Sequence, residues 1–131
     1  MSRIRTGVDL VYIPRIVSFM ESGDTESRAT KTFSAEEIQY CRKSDGGWHY
    51  HRLAARFAAK EAVFKAMGIG FSQGLYLHDV SVGRRESGEP YVILSSKAQA
   101  VFEAMGGVSL SISLTHENEY ACAFVLAEFS K

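Results

Sequence analysis

Two cysteines, two prolines and no excess of either charge sign leave this 131-residue sequence with little that sets its class by composition. Each shortage still excludes something. Cys41 and Cys122 stand far apart and form no CxxC pair, which argues against a zinc ribbon or a disulfide framework and suits two free core thiols in a reducing cytosol. Two prolines make no Pro-rich linker, and no internal repeat or low-complexity tract occurs. Fifteen basic residues against fifteen acidic ones provide no global field for nucleic acid. A run of about 18 apolar residues, the length a membrane helix needs, is absent, and "MSRIRTGVDL" lacks the apolar core of a signal peptide. The expectation is a cytoplasmic protein with no membrane partner, folded as a single domain over 1–131.

What is present orders itself by local signals. "IRTGVDLVYI" is β-branched and apolar enough for a buried strand, and Pro14 suits the first turn of the helix "PRIVSFMES". "ESGDTESRATKT" is polar and predicts a loop. In "FSAEEIQYCRK" a capping box, Ser34 with Glu37, starts a second helix that "SDGG" ends. A long alanine-rich helix then runs to Met67 and stops at Gly68. After the turn region "GIGFSQG", "LHDVSVGRRESGEPYVIL" predicts a hairpin turning at Ser87–Gly88. "SSKAQAVFEAMGG" is a short helix between a Ser cap and a Gly stop. "VSLSISLT" alternates, with Val108, Leu110, Ile112 and Leu114 on one face and Ser109, Ser111, Ser113 and Thr115 on the other. "YACAFVLAEF" returns as a strand with Tyr120, Cys122 and Phe124 in the core. The order β-α-α-α-β-β-α-β-β predicts an α+β fold whose mainly antiparallel sheet packs on the long helix.

That helix, "RFAAKEAVFKA", offers the solvent little. Leu53, Phe57 and Phe64 form one stripe, while Ala55, Ala59, Ala62 and Ala66 form a small, packable face opposite. Its charges border the stripe instead of opposing it: Glu61 and Lys65 on one flank, Arg56 and Lys60 on the other. Asp9 is a second anomaly, a carboxylate inside a strand on the face of Gly7, Val11 and Ile13. Desolvating it unpaired costs several kcal/mol, so it needs a salt bridge, to Arg15 or Lys65, a hydrogen bond, or a metal. Glu61 has a similar choice between an i,i+4 pair with Lys65 and a ligand role. Asp9 and Glu61 together make a sparse oxygen set of the kind magnesium uses when water and phosphate complete its shell, and Lys65 can then meet a phosphate oxygen. His49 and His51, two apart, point away from each other on a helix and make no metal pair. His78 belongs to a strand edge. His116 either caps a hairpin turn or contacts a ligand. "HENEY" lacks the second histidine of a zinc-protease helix, and "GIGFSQG" is neither a Walker loop nor a dinucleotide fingerprint. The serine row is a solvated sheet face or an interface.

"GVDL" at 7–10 and "RFAAKEAVFKA" at 56–66, with "SISLTHENEYACA" at 111–123, resemble the motifs of the holo-[acyl-carrier-protein] synthase family of small 4'-phosphopantetheinyl transferases. The resemblance spans the chain from Ile4 to Glu128. It implies transfer of 4'-phosphopantetheine from coenzyme A to a serine of an apo acyl carrier protein, a magnesium-dependent step of fatty acid biosynthesis or of secondary-metabolite synthesis that leaves adenosine 3',5'-bisphosphate. By position it implies Asp9 and Glu61 as magnesium ligands and, with Lys65, as the catalytic set. Lys65, Arg56, His116, Ser113 and Thr115 would contact coenzyme A, and Arg15 with Phe19 would dock the carrier. A homotrimer with active sites between neighbours is also implied, the long helix packing on its own sheet and on the adjacent subunit. The acidic stretch after residue 20 departs from the family's basic and apolar pattern, which bears on carrier preference. Two competing readings, a silent coenzyme A- or nucleotide-binding module and a purely structural trimeric partner, predict no transfer, and the second no magnesium dependence.

Overall fold

The structure is a computed structural model and describes residues 2–69 and 73–130. The chain runs β1 (Ser2–Tyr12), α1 (Ile13–Glu21), α2 (Thr25–Thr32), α3 (Ala35–Cys41), α4 (Tyr50–Met67), a 3₁₀ turn (Leu77–Asp79), β2 (Val80–Arg84), β3 (Pro90–Leu94), α5 (Ser96–Ala104), β4 (Gly107–Glu117) and β5 (Tyr120–Ser130). Strands β1, β5 and β4 make an antiparallel sheet in that order, and β2 with β3 makes a separate antiparallel hairpin. The fold is α+β, as the sequence predicts, with one helix more. Part of the "GIGFSQG" turn lies outside the described residues.

The extra helix is α2, where the composition predicted a loop. Asp24 caps it, its carboxylate accepting from the Glu26 and Ser27 amides at 3.1 and 3.3 Å. Thr25 Oγ1 donates to the Met20 carbonyl at 2.8 Å, and Ala29 and Thr32 are buried. With only two small side chains buried, the helix shows no apolar period, so its sequence looked like loop. The capping box of α3 is as expected: Ser34 Oγ accepts from Glu37 N at 3.2 Å, and Glu37 Oε1 accepts from Ser34 N at 3.0 Å. Gly68 ends α4 in the left-handed region, φ 71°.

Helix α4 lies across the sheet at unusually close range. A Cβ on Gly7 of β1 would come within 2.8 Å of the Ala66 amide nitrogen and closer still to the Ala62 carbonyl oxygen. The alanine face therefore packs on the chain's own sheet, and only small side chains fit beneath it. For that reason the inward residues of β5 are Ala121, Ala123, Val125, Ala127 and Phe129, all fully buried. This corrects the placement of Tyr120, Cys122 and Phe124, which point outward; Tyr120 and Phe124 are 47% and 44% exposed. Cys122 is accordingly half-buried, while Cys41 is buried in the core. Val108 is likewise exposed, because an irregularity in the β4–β5 register at Gly107/Ser109 takes it out of the alternation. His78 lies in the 3₁₀ turn ahead of β2 rather than on a strand.

The outer face of the sheet can be written as rows across β1, β5 and β4. Thr6–Leu126–Ser111, Val8–Phe124–Ser113, Leu10–Cys122–Thr115 and Tyr12–Tyr120–Glu117 follow one another by register. Ile4, Val8, Leu10, Tyr12, Tyr120, Phe124 and Leu126 are all exposed there. Apolar side chains fill two strands, and the hydroxyl row borders them on the third.

Candidate active site

Asp9 sits on the inner side of β1 beside α4, its side chain only 17% exposed. Lys65 Nζ donates to Asp9 Oδ1 at 3.1 Å and to the Val8 carbonyl at 3.0 Å. Of the two pairings open to Asp9, the structure forms the one with Lys65. Among the described residues Lys65 hydrogen-bonds to β1 and not to Glu61, so the i,i+4 bond along the helix is not made. Glu61, one turn before Lys65, is half-buried and lines the same cleft as Asp9, a space of about 300 Å³ that Phe57, Arg15 and Phe19 also border. Burial raises the Glu61 carboxyl above its ordinary value of 4.5, the Asp9 charge raises it further, and Lys65 works in the opposite direction.

Among the described residues no three His, Cys, Asp or Glu side chains gather as a metal cluster. Asp9 and Glu61 on their own are two hard oxygen donors facing one cleft, and the Asp9 charge beside Glu61 favours a cation there. A two-carboxylate set fits magnesium, which keeps several waters and shares phosphate oxygens.

Arg15 and Phe19 of α1 connect this cleft to an open groove along Tyr12, Pro14, Ser18 and Ser22. The acidic stretch beside it is largely occupied. Asp24 caps α2, Glu26 pairs with Arg42 at 2.9 Å, and Glu21 accepts from the Tyr50 hydroxyl at 3.1 Å. Arg28 instead lies over the Phe19 ring, 5.2 Å from its centre, and its Nε donates to the Ser22 carbonyl.

A second cleft, about 380 Å³, opens on the far side of α4. Arg56 lies about 140° around the helix from Glu61, and Arg52 about 180°. Arg52, Arg56 and Arg84 surround the Tyr40 ring with guanidinium carbons 4.3, 4.4 and 4.8 Å from its centre. Arg56 is 5% exposed, donates to the Arg52 carbonyl at 3.4 Å, and among the described residues its buried Nε has no hydrogen-bond partner. Thr115 and His116 line this cleft; Ser113 does not, and stands opposite Phe124 on the outer sheet face. His116 is still within β4, opposite Ala121, rather than in a turn. The charge of this cleft was invisible in the sequence beyond Arg56 and His116: Tyr40, Arg84 and His51 come from three different elements. The spacing of Arg52 and Arg56, i and i+4, was the one local signal for it.

The chain thus combines a small α+β fold with a carboxylate cleft and a basic cleft on opposite flanks of one helix. The sequence model of the 4'-phosphopantetheinyl transferase superfamily matches residues 5–125. The chain belongs to that family. It is 39% identical over 124 residues to a holo-[acyl-carrier-protein] synthase of Koribacter versatilis, covering 94% of this chain and 96% of that protein. Among solved structures it resembles the holo-[acyl-carrier-protein] synthase of Neisseria meningitidis, with a TM-score of 0.83, 28% identity, and 94% and 96% of the two chains covered. The Helicobacter pylori holo-[acyl-carrier-protein] synthase in complex with coenzyme A superposes with a TM-score of 0.80 at 26% identity, covering 93% and 98%.

Proposed function

We propose that residues 1–131 form one transferase domain that moves 4'-phosphopantetheine from coenzyme A to a serine of an apo acyl carrier protein, releasing adenosine 3',5'-bisphosphate. The observation that carries this reading is the shared cleft of Asp9 and Glu61, with Lys65 at its edge and the Arg15–Phe19 groove opening into it. Glu61 is the candidate base that takes the serine proton, directly or through a bound water. The serine oxygen then forms a bond to the β-phosphorus, and the bond from that phosphorus to the bridging oxygen breaks. Lys65 stabilises the charge that gathers on the phosphate oxygens. Asp9 and Glu61 would hold magnesium, whose contribution when bound is to neutralise the diphosphate and fix its orientation. Arg56, Thr115 and His116 would grip the nucleotide end, with Ser113 on the same strand, and Arg15 and Phe19 would receive the carrier. The cytoplasm is the place where such a carrier and coenzyme meet.

The assembly proposed is a homotrimer whose active sites lie between subunits. Two features support it. The carboxylate cleft and the basic cleft lie on opposite sides of α4, an arrangement that suits a donor held between neighbouring chains. The outer sheet face is also a contiguous apolar surface that no described element covers. The alanine face offers no argument, because the chain's own sheet covers it. Mass spectrometry of an apo carrier protein incubated with this chain, coenzyme A and magnesium is the test. One added phosphopantetheine group on the serine is expected; an unmodified carrier overturns the reading.

A further inference from the structure

The basic cleft holds a pair of imidazoles that the sequence kept apart. His51, in the first turn of α4, lies with its ring centre 4.7 Å from that of His116 on β4, the planes inclined by 41°. Both rings line the cleft with Arg52, Arg56 and Arg84, and among the described residues no carboxylate lines it. His49 is the next ring out, 6.2 Å from His51. From α4 the groups facing His51 are therefore Arg52 and Arg56, from the segment before it His49, from α3 Tyr40, from β2 Arg84 and from β4 His116. Every charged one among them is positive.

Such a pair is comfortable only when at least one ring is neutral. Partial burial holds His51 below its usual value, and His116, Arg52, His49 and Arg56 each add to that effect. These positive neighbours disfavour the charged form of His51. A phosphomonoester brings a charge of about −1.5 to −2 at neutral pH, with acceptor oxygens for every N–H in reach. It reverses the sign of the local field. Arg56, whose Nε has no hydrogen-bond partner among the described residues, stands beside the pair with a further positive charge.

We infer that His51 is a further anion-binding residue of this cleft, and that the His51–His116 pair takes up a proton when a phosphomonoester dianion binds there. The inference rests on the proposed coenzyme A reading and adds to it a residue and a proton. The proton comes from solvent and settles on a ring nitrogen, which then donates to a phosphate oxygen. Nothing else is made or broken. Linkage fixes the sign: a ligand that prefers the protonated pair binds more tightly as pH falls toward the imidazole range, until the phosphomonoester itself protonates near about pH 6. His51 in this role makes retention of the nucleotide product pH-dependent as well as its capture.

The test is titration calorimetry of the unmodified chain with adenosine 3',5'-bisphosphate near about pH 7, in two phosphate-free buffers of different ionisation enthalpy. The enthalpy difference counts protons taken up. The same is done with His51→Phe, which keeps a ring against His116 but cannot titrate, and with His51→Gln, which keeps polarity. The ligand's own proton change is common to all three and cancels. Wild type is expected to take up a fraction of a proton more than either variant. Its affinity advantage over both should reach about 3–10-fold near pH 6.5 and vanish near pH 8.5. Equal proton uptake in wild type and variants, with tight binding retained, overturns this inference and leaves the coenzyme A reading standing. No binding of the bisphosphate to the wild-type chain overturns both.

Discussion

Lys60 Nζ donates to Glu37 Oε1 across 2.6 Å, and neither side chain has any exposed surface. The same ammonium donates to the Val80 carbonyl and lies 5.5 Å from the centre of the Phe33 ring. Glu37 also accepts from the Ser34 and Val82 amides at 3.0 and 2.8 Å. One ion pair thus joins α3, α4 and the hairpin strand β2, and so fixes Tyr40, Arg56 and Arg84 relative to one another. Burial pulls the Lys60 ammonium below its usual value while the Glu37 carboxylate opposes that pull.

Breaking the pair from one side is expected to be costly. Lys60→Met leaves Glu37 charged and enclosed, and should lower unfolding free energy by about 3–5 kcal/mol in urea titrations. Glu37→Leu should cost at least as much, since it strands the ammonium and two backbone amides together. The double variant recovers only part of the loss, because the amides of Ser34 and Val82 still lack an acceptor. A single variant as stable as wild type would show that the pair is not buried as described.

How much of this was legible beforehand depends on how local each feature is. The Ser34–Glu37 box, the Gly68 stop and the Ser87–Gly88 hairpin need only a few neighbouring residues, and all three formed. The coil assigned to 21–32 failed because α2 is held by its Asp24 cap and by packing on α1, not by an apolar period. The faces of β5 came out reversed for a tertiary reason: Gly7 lets α4 sit so close that only alanines fit beneath it, and the bulky residues go outward. Asp9 was conspicuous as a charge in a strand, and its contact with Lys65 was among the options the sequence left open. The Lys60–Glu37 pair and the His51–His116 contact join elements far apart in the chain, and no local pattern announces them.

Glu61→Gln should separate stability from activity. With its pKa raised, the folded carboxyl holds a proton that the unfolded chain has released above 4.5. The folded state therefore loses stability as pH rises from that value through the elevated one, and a group that cannot ionise escapes the loss. Without metal at neutral pH, the glutamine variant is expected to melt slightly higher than wild type while transfer falls by about 10²-fold or more. Asp9→Asn should likewise abolish transfer without unfolding the chain, and NMR should show Glu61 titrating at lower pH once the neighbouring charge is gone. A Glu61 titration unmoved by Asp9→Asn would mean that the two carboxylates do not share one field.

Lys65→Ala tests the edge of the same cleft. The Lys65 side chain is 55% exposed but Asp9 only 17%, so removing the lysine leaves a largely enclosed carboxylate and should lower stability by about 1–2 kcal/mol. The KM for coenzyme A should rise about 10-fold or more, the loss expected of one charge-assisted phosphate contact. A lower melting temperature with an unchanged KM would reduce Lys65 to a structural partner of Asp9.

The outer sheet face makes its own prediction. Val8 and Phe124 are cross-strand neighbours, 53% and 44% exposed, in the middle of the apolar rows. Phe124→Asp removes no core contact but places a charge where a neighbouring chain would have to bury it. Light scattering should show a trimer for wild type and a folded monomer for the variant, with transfer lost because each active site is then halved. A wild-type chain that is monomeric and active at micromolar concentration would remove the shared-site argument altogether.

Arg15 is the last position at issue, because it borders both the carboxylate cleft and the open groove along α1. Phe19, four residues on, lies beneath the Arg28 guanidinium, so the groove pairs an aromatic surface with two cations. The acids that might have cancelled them are spent within the fold, Glu21 on Tyr50, Asp24 on the α2 cap and Glu26 on Arg42. An acidic carrier helix would then find a positive groove despite the acidic composition of the stretch. Arg15→Glu is expected to reduce kcat/KM for the carrier about 10–100-fold, mainly through association, and added salt should weaken wild-type docking in the same way. Coenzyme A affinity should hold, since its proposed contacts lie on α4 and β4. Glu26→Gln, which breaks only the exposed pair with Arg42, should leave docking unchanged. Loss of coenzyme A affinity in Arg15→Glu, with carrier association intact, would move Arg15 from the docking groove to the nucleotide side of the site.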